Sequence, residues 1–236
     1  MRRLNYNDIF NGNSLNIFTD ASITTKYNIV YGCPGFISID NKDYINCGYN
    51  LFNFSTNNQS EIYAIYLGLQ EAMRMKYLKG YSQINLFSDS KISVFGLREW
   101  IKKWSYNPTE DLLYSSSGTP VANQEIFLRC VYIIMKHKLP IKLFHVDGHK
   151  NCNSSKDLQK FTEDFKSNNG FDTVDIDLMK SLIMMNDKID NYTREQLMVL
   201  GMEKSAYTYL KDRTFEYKYD KDMIKNFITY LNLRRN

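Results

Sequence analysis

Residues 15–20 read LNIFTD, a run of strand-forming residues that ends in a carboxylate. A stretch of the same kind, INLFSD, occupies residues 84–89. Short apolar and β-branched runs favour strands, and side chains at strand ends can converge at one edge of a sheet. The two stretches therefore predict a sheet that carries Asp20 and Asp89 at a common edge.

The segments around these two strands predict an α/β domain with a mixed sheet covered by helices. Gly32-Cys33-Pro34 reads as a turn, and periodic apolar positions predict the helices. The further predicted elements, in chain order, are strands at 35–39 and 44–54, helices at 56–80, 90–104 and 125–136, and a last strand at 141–146. We expect one domain over residues 15–194 with an insert at about 151–185. A loose lead-in at 1–14 precedes it, and a helical C-terminal extension at 195–236 follows it.

Composition and charge are those of an ordinary soluble globule, with 43% hydrophobic and 24% charged residues. No apolar run approaches the roughly 20 residues of a membrane-spanning helix. The four cysteines show no CxxC spacing, which favours free thiols in a reducing compartment and predicts a cytoplasmic protein. A net charge of +4 permits an anionic partner without identifying one.

Three acidic residues are candidates for a metal site. Asp20 and Asp89 each follow a predicted strand, and Glu61 lies in the first turn of a predicted helix. Convergent carboxylates are the ligands that Mg²⁺ prefers. Taken singly, each of these acids is more simply explained as a helix cap or a surface charge, so the surrounding sequence has to decide.

That surrounding sequence resembles the type 1 ribonuclease H family through several motifs in the family's order, over about residues 16–150. The motifs are residues 17–22 (IFTDAS), 33–36 (CPGF), 48–49 (GY) with 56–61 (TNNQSE), 88–90 (SDS) with 100–104 (WIKKW), 120–123 (PVAN) and 148–150 (GHK). Ala21 stands where glycine is commoner in the family. The agreement in kind and order makes the resemblance specific.

The resemblance implies a ribonuclease H-like fold. This is a mixed five-stranded sheet with helices on both faces, to which a helical insert and C-terminal helices are added here. It implies an endonuclease that hydrolyses the RNA strand of an RNA–DNA hybrid and leaves 5′-phosphate and 3′-hydroxyl ends. Two Mg²⁺ or Mn²⁺ ions are implied as cofactors. The implied metal ligands are Asp20, Glu61, Asp89 and a fourth carboxylate, for which the stretch NDKIDNYTR at 186–194 nominates Asp190. Asp157 and Asp164 are nearer in sequence to the last motif but lack the surrounding pattern.

Further residues match family positions with a role at the site. His149 matches a mobile histidine that assists proton movement or product release. Asn57 and Asn58 match positions that read the minor groove of the hybrid, while Thr56 and Asn123 match a pocket for a DNA-strand phosphate. Trp100 matches an aromatic residue that packs on the DNA strand, whereas Trp104 is better explained as a core residue.

Two other functions remain open at this point. The same fold and metals could act on DNA, as in resolvases and integrases, or the domain could bind nucleic acid without catalysis. The C-terminal helices could also bind a protein partner. The motifs at 56–61 and 148–150 favour the hybrid-cutting branch.

Overall fold

A computed structural model describes residues 2–10, 12–26, 29–42, 44–53, 56–107, 109–148 and 154–200. The strands are β1 (Arg3–Leu4), β2 (Ser14–Lys26), β3 (Ile29–Ile39), β4 (Ile45–Tyr49), β5 (Phe52–Asn53), β6 (Gln83–Ser88), β7 (Ser105–Asn107), β8 (Leu112–Tyr114), β9 (Ile141–His145) and β10 (Thr173–Val174). The helices are α1 (Tyr6–Phe10), α2 (Asn57–Lys79), α3 (Lys91–Arg98), α4 (Gln124–Lys136), α5 (Ser155–Asn169) and α6 (Ile176–Leu200), with a 3-10 turn at Trp100–Lys103. Within these ranges, no helix combines the length and apolar character needed to cross a bilayer.

The central sheet has the strand order β4-β3-β2-β6-β9, with the short strand β5 added beside β3. β2, β6 and β9 are parallel to one another, whereas β3 is antiparallel to β2 and to β4. The predicted mixed sheet is therefore confirmed, and β5 adds a sixth strand to the predicted five. Its parallel half is the part that positions the site.

Alternation along the strands divides the core into two layers, one on each face of the sheet. Ile17 and Leu86 are buried with α2, α3 and α4, whereas their neighbours Phe18 and Phe87 are buried with α1, α5 and α6. Phe18 stacks on Phe87 at 4.8 Å between ring centroids, and Phe87 stacks on Phe144 at 5.1 Å. This row of rings fixes the register of the three parallel strands, because slipping any strand by one residue would turn its ring to the other face.

Helix α2 begins and ends where its sequence predicts. The Thr56 hydroxyl accepts a hydrogen bond from the Gln59 N–H at 3.2 Å, and Gly80 ends the helix in the left-handed conformation at φ 65°. These two residues satisfy backbone groups that the helix ends leave unpaired. The two caps fix where α2 begins and ends, and with that the position of Glu61 along the helix.

The predicted turn at Gly32-Cys33-Pro34 is wrong, because these residues lie inside β3. β2 and β3 pair over eleven residues, from Asn16↔Ile39 to Lys26↔Ile29, and Pro34 is paired with Ala21 in the middle of this ribbon. Pro34 lies one residue beyond the last β3–β4 pair, where the missing N–H is tolerated, and its carbonyl accepts a hydrogen bond from Asn50. Long-range pairing thus overrides the local turn signal.

The predicted helix at 90–104 is shorter than expected. It stops at Arg98, and after the 3-10 turn the chain forms the unpredicted hairpin β7–β8. Trp104 accounts for the change of direction, because it is only 5% exposed and meets the ring of Phe127 edge-on at 5.1 Å. Trp104 is a core residue, as its sequence context predicts.

The N-terminal residues are packed rather than loose. β1 pairs with β10 in parallel, and Ile9 of α1 is completely buried against the second core layer. The described part of the predicted insert consists of α5, β10 and the first turns of α6. Because α6 runs on to Leu200, it crosses the predicted boundary at residue 194, and the rest of the predicted C-terminal extension lies outside the described residues. The division into a lead-in, a domain and an extension stays a prediction.

Candidate active site

The site lies where the parallel half of the sheet ends. The last parallel pairs are Thr19↔Ser88 and Ser88↔His145, so Asp20 and Asp89 each follow a final pair. Asp20 itself is not at a strand end, because β2 continues past it as the antiparallel partner of β3. The two carboxylates therefore share an edge of the parallel ladder, although one of them lies in the middle of a long strand.

Helix α2 brings a third carboxylate to this edge. Glu61 is the fifth residue of α2 and so opens its second turn rather than its first. One oxygen each from Asp20, Glu61 and Asp89 lie within 4.8 Å of one another. Asp20 and Glu61 are buried and Asp89 is half-buried. Three acidic groups from three elements thus meet in a largely buried place.

Burial and mutual repulsion raise the pKa values of this cluster. Burial, with the negative charge of Asp89 second, raises the pKa of Asp20 to about 7, although the Ala21 N–H donates to the Asp20 carboxylate at 2.7 Å. Burial raises the pKa of Glu61 well above its ordinary value, and the charges of Asp20, Asp89 and Asp190 add to the effect. Such clustering is unfavourable without a compensating cation.

A second buried glutamate on the same helix, Glu71, has a carboxylate whose oxygens are hydrogen-bonded. Glu71 accepts hydrogen bonds from Tyr44, Asn46 and Arg74 at 2.7–3.1 Å. Burial would raise its pKa, but these hydrogen bonds lower it. Glu61, in contrast, has a buried Oε2 without a hydrogen-bond partner among the described residues. An unsatisfied carboxylate oxygen that faces two other acids fits a divalent cation, which accepts oxygen ligands and supplies the missing positive charge.

Asp190 stands beside the triad rather than within it. It lies on α6, and its negative charge contributes to the raised pKa values of Asp20 and Glu61. Its carboxylate accepts two hydrogen bonds from Arg194, at 2.6 and 2.9 Å. By comparison, Asp157 is exposed at the start of α5, where it accepts a hydrogen bond from the Ser154 hydroxyl, and Asp164 is half-buried on the same helix. Of these three acids, Asp190 is the one whose negative charge raises the pKa values of Asp20 and Glu61.

Two features bring α6 close to the sheet near Asp190. The hydroxyls of Thr193 and Ser22 are hydrogen-bonded at 3.0 Å. A Cβ atom at Gly35, which is paired with Asp20, would come within 2.8 Å of Thr193 Cγ2. The absence of a side chain at position 35 therefore permits the close approach of α6.

The loop after β9 approaches Asp89 closely. A Cβ atom at Gly148 would overlap the Asp89 carboxylate, so any other residue there would require the Asp89 side chain to move. His149, which follows it, lies outside the described residues. The close approach to Asp89 accounts for the glycine of the motif at 148–150, while the proposed role of His149 stays a prediction.

Sequence reasoning missed one residue beside the cluster. His145, the last residue of β9, is 1% exposed, and burial lowers its pKa. Its Nε2 lies 3.0 Å from the backbone carbonyl oxygen of Asp89. The only signal was a polar residue inside the otherwise apolar run FHV at 144–146.

Four of the predicted substrate-binding residues lie at the N-terminal ends of helices. Thr56, Asn57 and Asn58 are exposed at the start of α2, and Asn123 precedes α4 in the left-handed conformation with no side-chain capping bond. Helices α2 and α4 pack against each other, and Lys76, near the end of α2, donates to the carbonyl groups of His137 and Lys138 that follow α4. Helix N-termini attract phosphate groups.

Trp100 offers a flat apolar surface to solvent. It is 41% exposed in the 3-10 turn after α3, and its ring stacks on Phe95 at 6.4 Å between centroids. An exposed aromatic ring can pack on a sugar or a base.

Comparisons with known proteins agree with this geometry. The RNase H family model matches residues 12–160. The chain is 33% identical to Ribonuclease HI of Haemophilus influenzae over 85 residues, 36% of this chain and 49% of the relative. It is 28% identical to Ribonuclease HI of Pasteurella multocida over 130 residues, 53% of this chain and 73% of the relative. The chain thus spans about half the length of the Haemophilus relative.

Solved structures that match part of this chain include RNase H1 from the halophilic archaeon Halobacterium salinarum. That match has a TM-score of 0.40 at 18% identity and covers 57% of this chain and 86% of the other. LC11-RNase H1, solved in complex with an RNA/DNA hybrid, matches with a TM-score of 0.42 at 16% identity over 60% of this chain and 91% of the other.

Proposed function

This chain belongs to the RNase H family, and from that premise we propose that it is a metal-dependent endonuclease acting on the RNA strand of RNA–DNA hybrids. In this proposal the products carry 5′-phosphate and 3′-hydroxyl ends. The observation that supports it most strongly is the convergence of Asp20, Glu61 and Asp89 within 4.8 Å, with one buried oxygen of Glu61 left unsatisfied.

The proposed cofactors are two Mg²⁺ or Mn²⁺ ions held by Asp20, Glu61, Asp89 and Asp190. When bound, such ions lower the pKa of an attacking water and offset negative charge on the scissile phosphate. Asp20 and Glu61 supply buried oxygens, and Asp89 and Asp190 supply more accessible ones. His149 in this proposal assists proton movement or product release.

Recognition of the hybrid is proposed for the N-terminal ends of α2 and α4. Asn57 and Asn58 have polar groups that can reach a ribose 2′-hydroxyl, the group that distinguishes RNA from DNA. Thr56 precedes α2 and Asn123 precedes α4, and a helix N-terminus favours a DNA-strand phosphate. Trp100 packs on the DNA strand in this proposal.

The decisive experiment compares three substrates of one sequence: an RNA–DNA hybrid, a duplex RNA and a duplex DNA, each with Mg²⁺ and with Mn²⁺. We expect cleavage of the hybrid alone, and Asp89→Asn should lower the rate by on the order of 100-fold or more. Asp177→Asn removes an exposed carboxylate at the start of α6 and serves as the matched control.

The other outcomes identify the rival functions. Cleavage of duplex DNA would support a resolvase-like or integrase-like nuclease. Binding of the hybrid without cleavage would support a catalytically silent nucleic-acid-binding module. A protein partner for the C-terminal extension and a cytoplasmic location stay predictions.

The fourth carboxylate is tested by the same assay. We expect Asp190→Asn to abolish most hybrid cleavage, whereas Asp157→Asn and Asp164→Asn should retain it. Loss of activity in either of the last two variants, with activity retained in Asp190→Asn, would reassign the fourth ligand to α5.

A further inference from the structure

The end of the insert helix α5 contacts the sheet at the edge strand β9. Asn169 is buried, and its side-chain amide pairs with both backbone groups of His145: its Oδ1 accepts from the His145 N–H at 3.0 Å, and its Nδ2 donates to the His145 carbonyl at 2.8 Å. The side chain of Asn169 thus makes the two backbone hydrogen bonds with His145 that a neighbouring strand would make. The open edge of the sheet is closed at the residue that follows the core phenylalanine of β9.

The preceding residue holds the imidazole ring. Asn168 Nδ2 lies 3.2 Å from His145 Nδ1, while His145 Nε2 lies 3.0 Å from the Asp89 carbonyl oxygen. A carbonyl oxygen can only accept, so Nε2 carries the hydrogen and Nδ1 accepts from Asn168. The ring therefore bridges the insert helix and the backbone of Asp89.

Arg98 fixes the two asparagines in turn. Its guanidinium donates to Asn169 Oδ1 at 3.0 Å and to the Asn168 carbonyl at 2.6 Å. A planar guanidinium with several donors limits how far the helix end can turn. The connection from the insert to Asp89 is thus made of directed hydrogen bonds at every step.

We propose that the insert belongs to the catalytic centre: Asn168 and Asn169 orient His145, and His145 is a positioning residue that holds the backbone of Asp89 so that its carboxylate faces Asp20 and Glu61. The inference rests on the proposed function and deepens it. The residues involved on α5 lie beyond the part of the chain that the family model matches, which ends at residue 160. Partners that orient metal ligands typically account for about 10–100-fold in metal affinity or activity.

The test compares two replacements of His145 in the full chain. His145→Phe keeps a ring of similar shape but has no donor, whereas the amide Nε2 of His145→Gln can take the place of the ring donor. We expect His145→Phe to weaken Mn²⁺ binding to the substrate-free protein by about 10-fold or more and to lower kcat, with KM for the hybrid within about 2-fold. His145→Gln should recover most of the Mn²⁺ affinity.

Mn²⁺ affinity is measured by titration calorimetry on protein shown to be folded by its unfolding transition in urea. Asn168→Ala and Asn169→Ala provide variants that leave the histidine in place, and both should weaken Mn²⁺ binding several-fold. Ser167→Ala, on the exposed side of the same helix, is the control and should bind as the wild type does.

Wild-type affinity in folded His145→Phe, or in both asparagine variants, would overturn the inference and leave the proposed function standing. If the wild-type protein bound no Mn²⁺ and cut no hybrid, the proposed function would fail and this inference with it. A drop in the free energy of unfolding alone, without a change in Mn²⁺ affinity, would also overturn the inference, because a purely structural role predicts that result.

Discussion

Glu61 and Glu71 are ten residues, about 15 Å, apart along one helix. Both are buried, but Glu71 is surrounded by donors while Glu61 faces other acids. Evolution of a binding site often leaves such a group unsatisfied at the expense of stability. The difference between the two glutamates fits a structural role for Glu71 and the proposed role of Glu61 as a metal ligand.

Amide substitutions at these two positions should have opposite effects on the metal-free protein. Glu61→Gln removes a repelled charge, so we expect the free energy of unfolding at pH 8 to rise by about 1–2 kcal/mol. Glu71→Gln breaks a buried network, and we expect a decrease of about 2–4 kcal/mol. Urea unfolding in EDTA measures both.

Added Mn²⁺ distinguishes the two variants further. It should stabilise Glu71→Gln as it stabilises the wild type, but should have little effect on Glu61→Gln. If Glu61→Gln were destabilised in EDTA, the explanation of Glu61 as an unsatisfied ligand would be wrong.

Arg194 neutralises Asp190 in the metal-free protein through a two-pronged ion pair. A cation at this place competes with a divalent ion for the same carboxylate. We therefore expect Arg194→Gln to bind Mn²⁺ a few-fold more tightly, as seen by calorimetry at low ionic strength. Arg74→Gln removes a comparable ion pair with Glu71, remote from the triad, and is the control. Weaker binding in Arg194→Gln would show that the arginine supports the site instead.

At the scale of elements, the docking of α6 on the sheet decides whether Asp190 reaches the triad. Gly35→Ala places a methyl group against Thr193 and within 3.2 Å of the Gly48 carbonyl oxygen. We expect a loss of about 1–3 kcal/mol in the free energy of unfolding and weaker Mn²⁺ binding.

Thr193→Ser removes the crowded methyl group and keeps the hydroxyl that contacts Ser22. Combined with Gly35→Ala, it should recover part of both losses. Additive effects in this double-mutant cycle would contradict the close approach of α6 to β3.

Elements with strong local signals were predictable from the sequence. The strand-forming run LNIFTD at 15–20 predicts β2. Apolar periodicity, with Thr56 and Gly80 at the two ends, predicts α2. β3 was mispredicted at Gly32 and Pro34 because pairing over eleven residues decides its path. The hairpin β7–β8 has only three residues in each strand, too few for a periodic pattern.

The site was predictable in part for the same reason. Asp20, Glu61 and Asp89 stand in recognisable motifs, so their convergence could be anticipated. His145 could not, because its partners Asn168 and Asn169 come 23 and 24 residues later, from a helix that no motif announces. Contacts made between distant segments leave no local trace in the sequence.

At the scale of the whole molecule, the acidic cluster should govern how stability depends on pH. The pKa of Asp20 is about 7 in the folded metal-free protein and near 3.8 when unfolded, and that of Glu61 is raised in the same direction. Between these values the folded state binds more protons than the unfolded state, so stability falls as pH rises.

We expect the free energy of unfolding in EDTA to decrease by on the order of 3 kcal/mol between pH 4 and pH 8 through these groups. Saturating Mg²⁺ should reverse most of the decrease at pH 8. Asp20→Asn should flatten the profile. A stability that rises across this range in EDTA, in wild type and variant alike, would show that the cluster does not dominate.

The parallel pairing of β1 with β10 also affects the order in which the chain can fold. Arg2 donates to the carboxylate of Asp172, 170 positions along the polypeptide, and Arg3 pairs with Thr173 beside it. During synthesis Arg2 therefore cannot form this contact until nearly the whole of the described chain has left the ribosome. Such distant contacts are slow to form because a long loop must close first. The N-terminal strand should accordingly be among the last parts to acquire protection from hydrogen exchange during refolding.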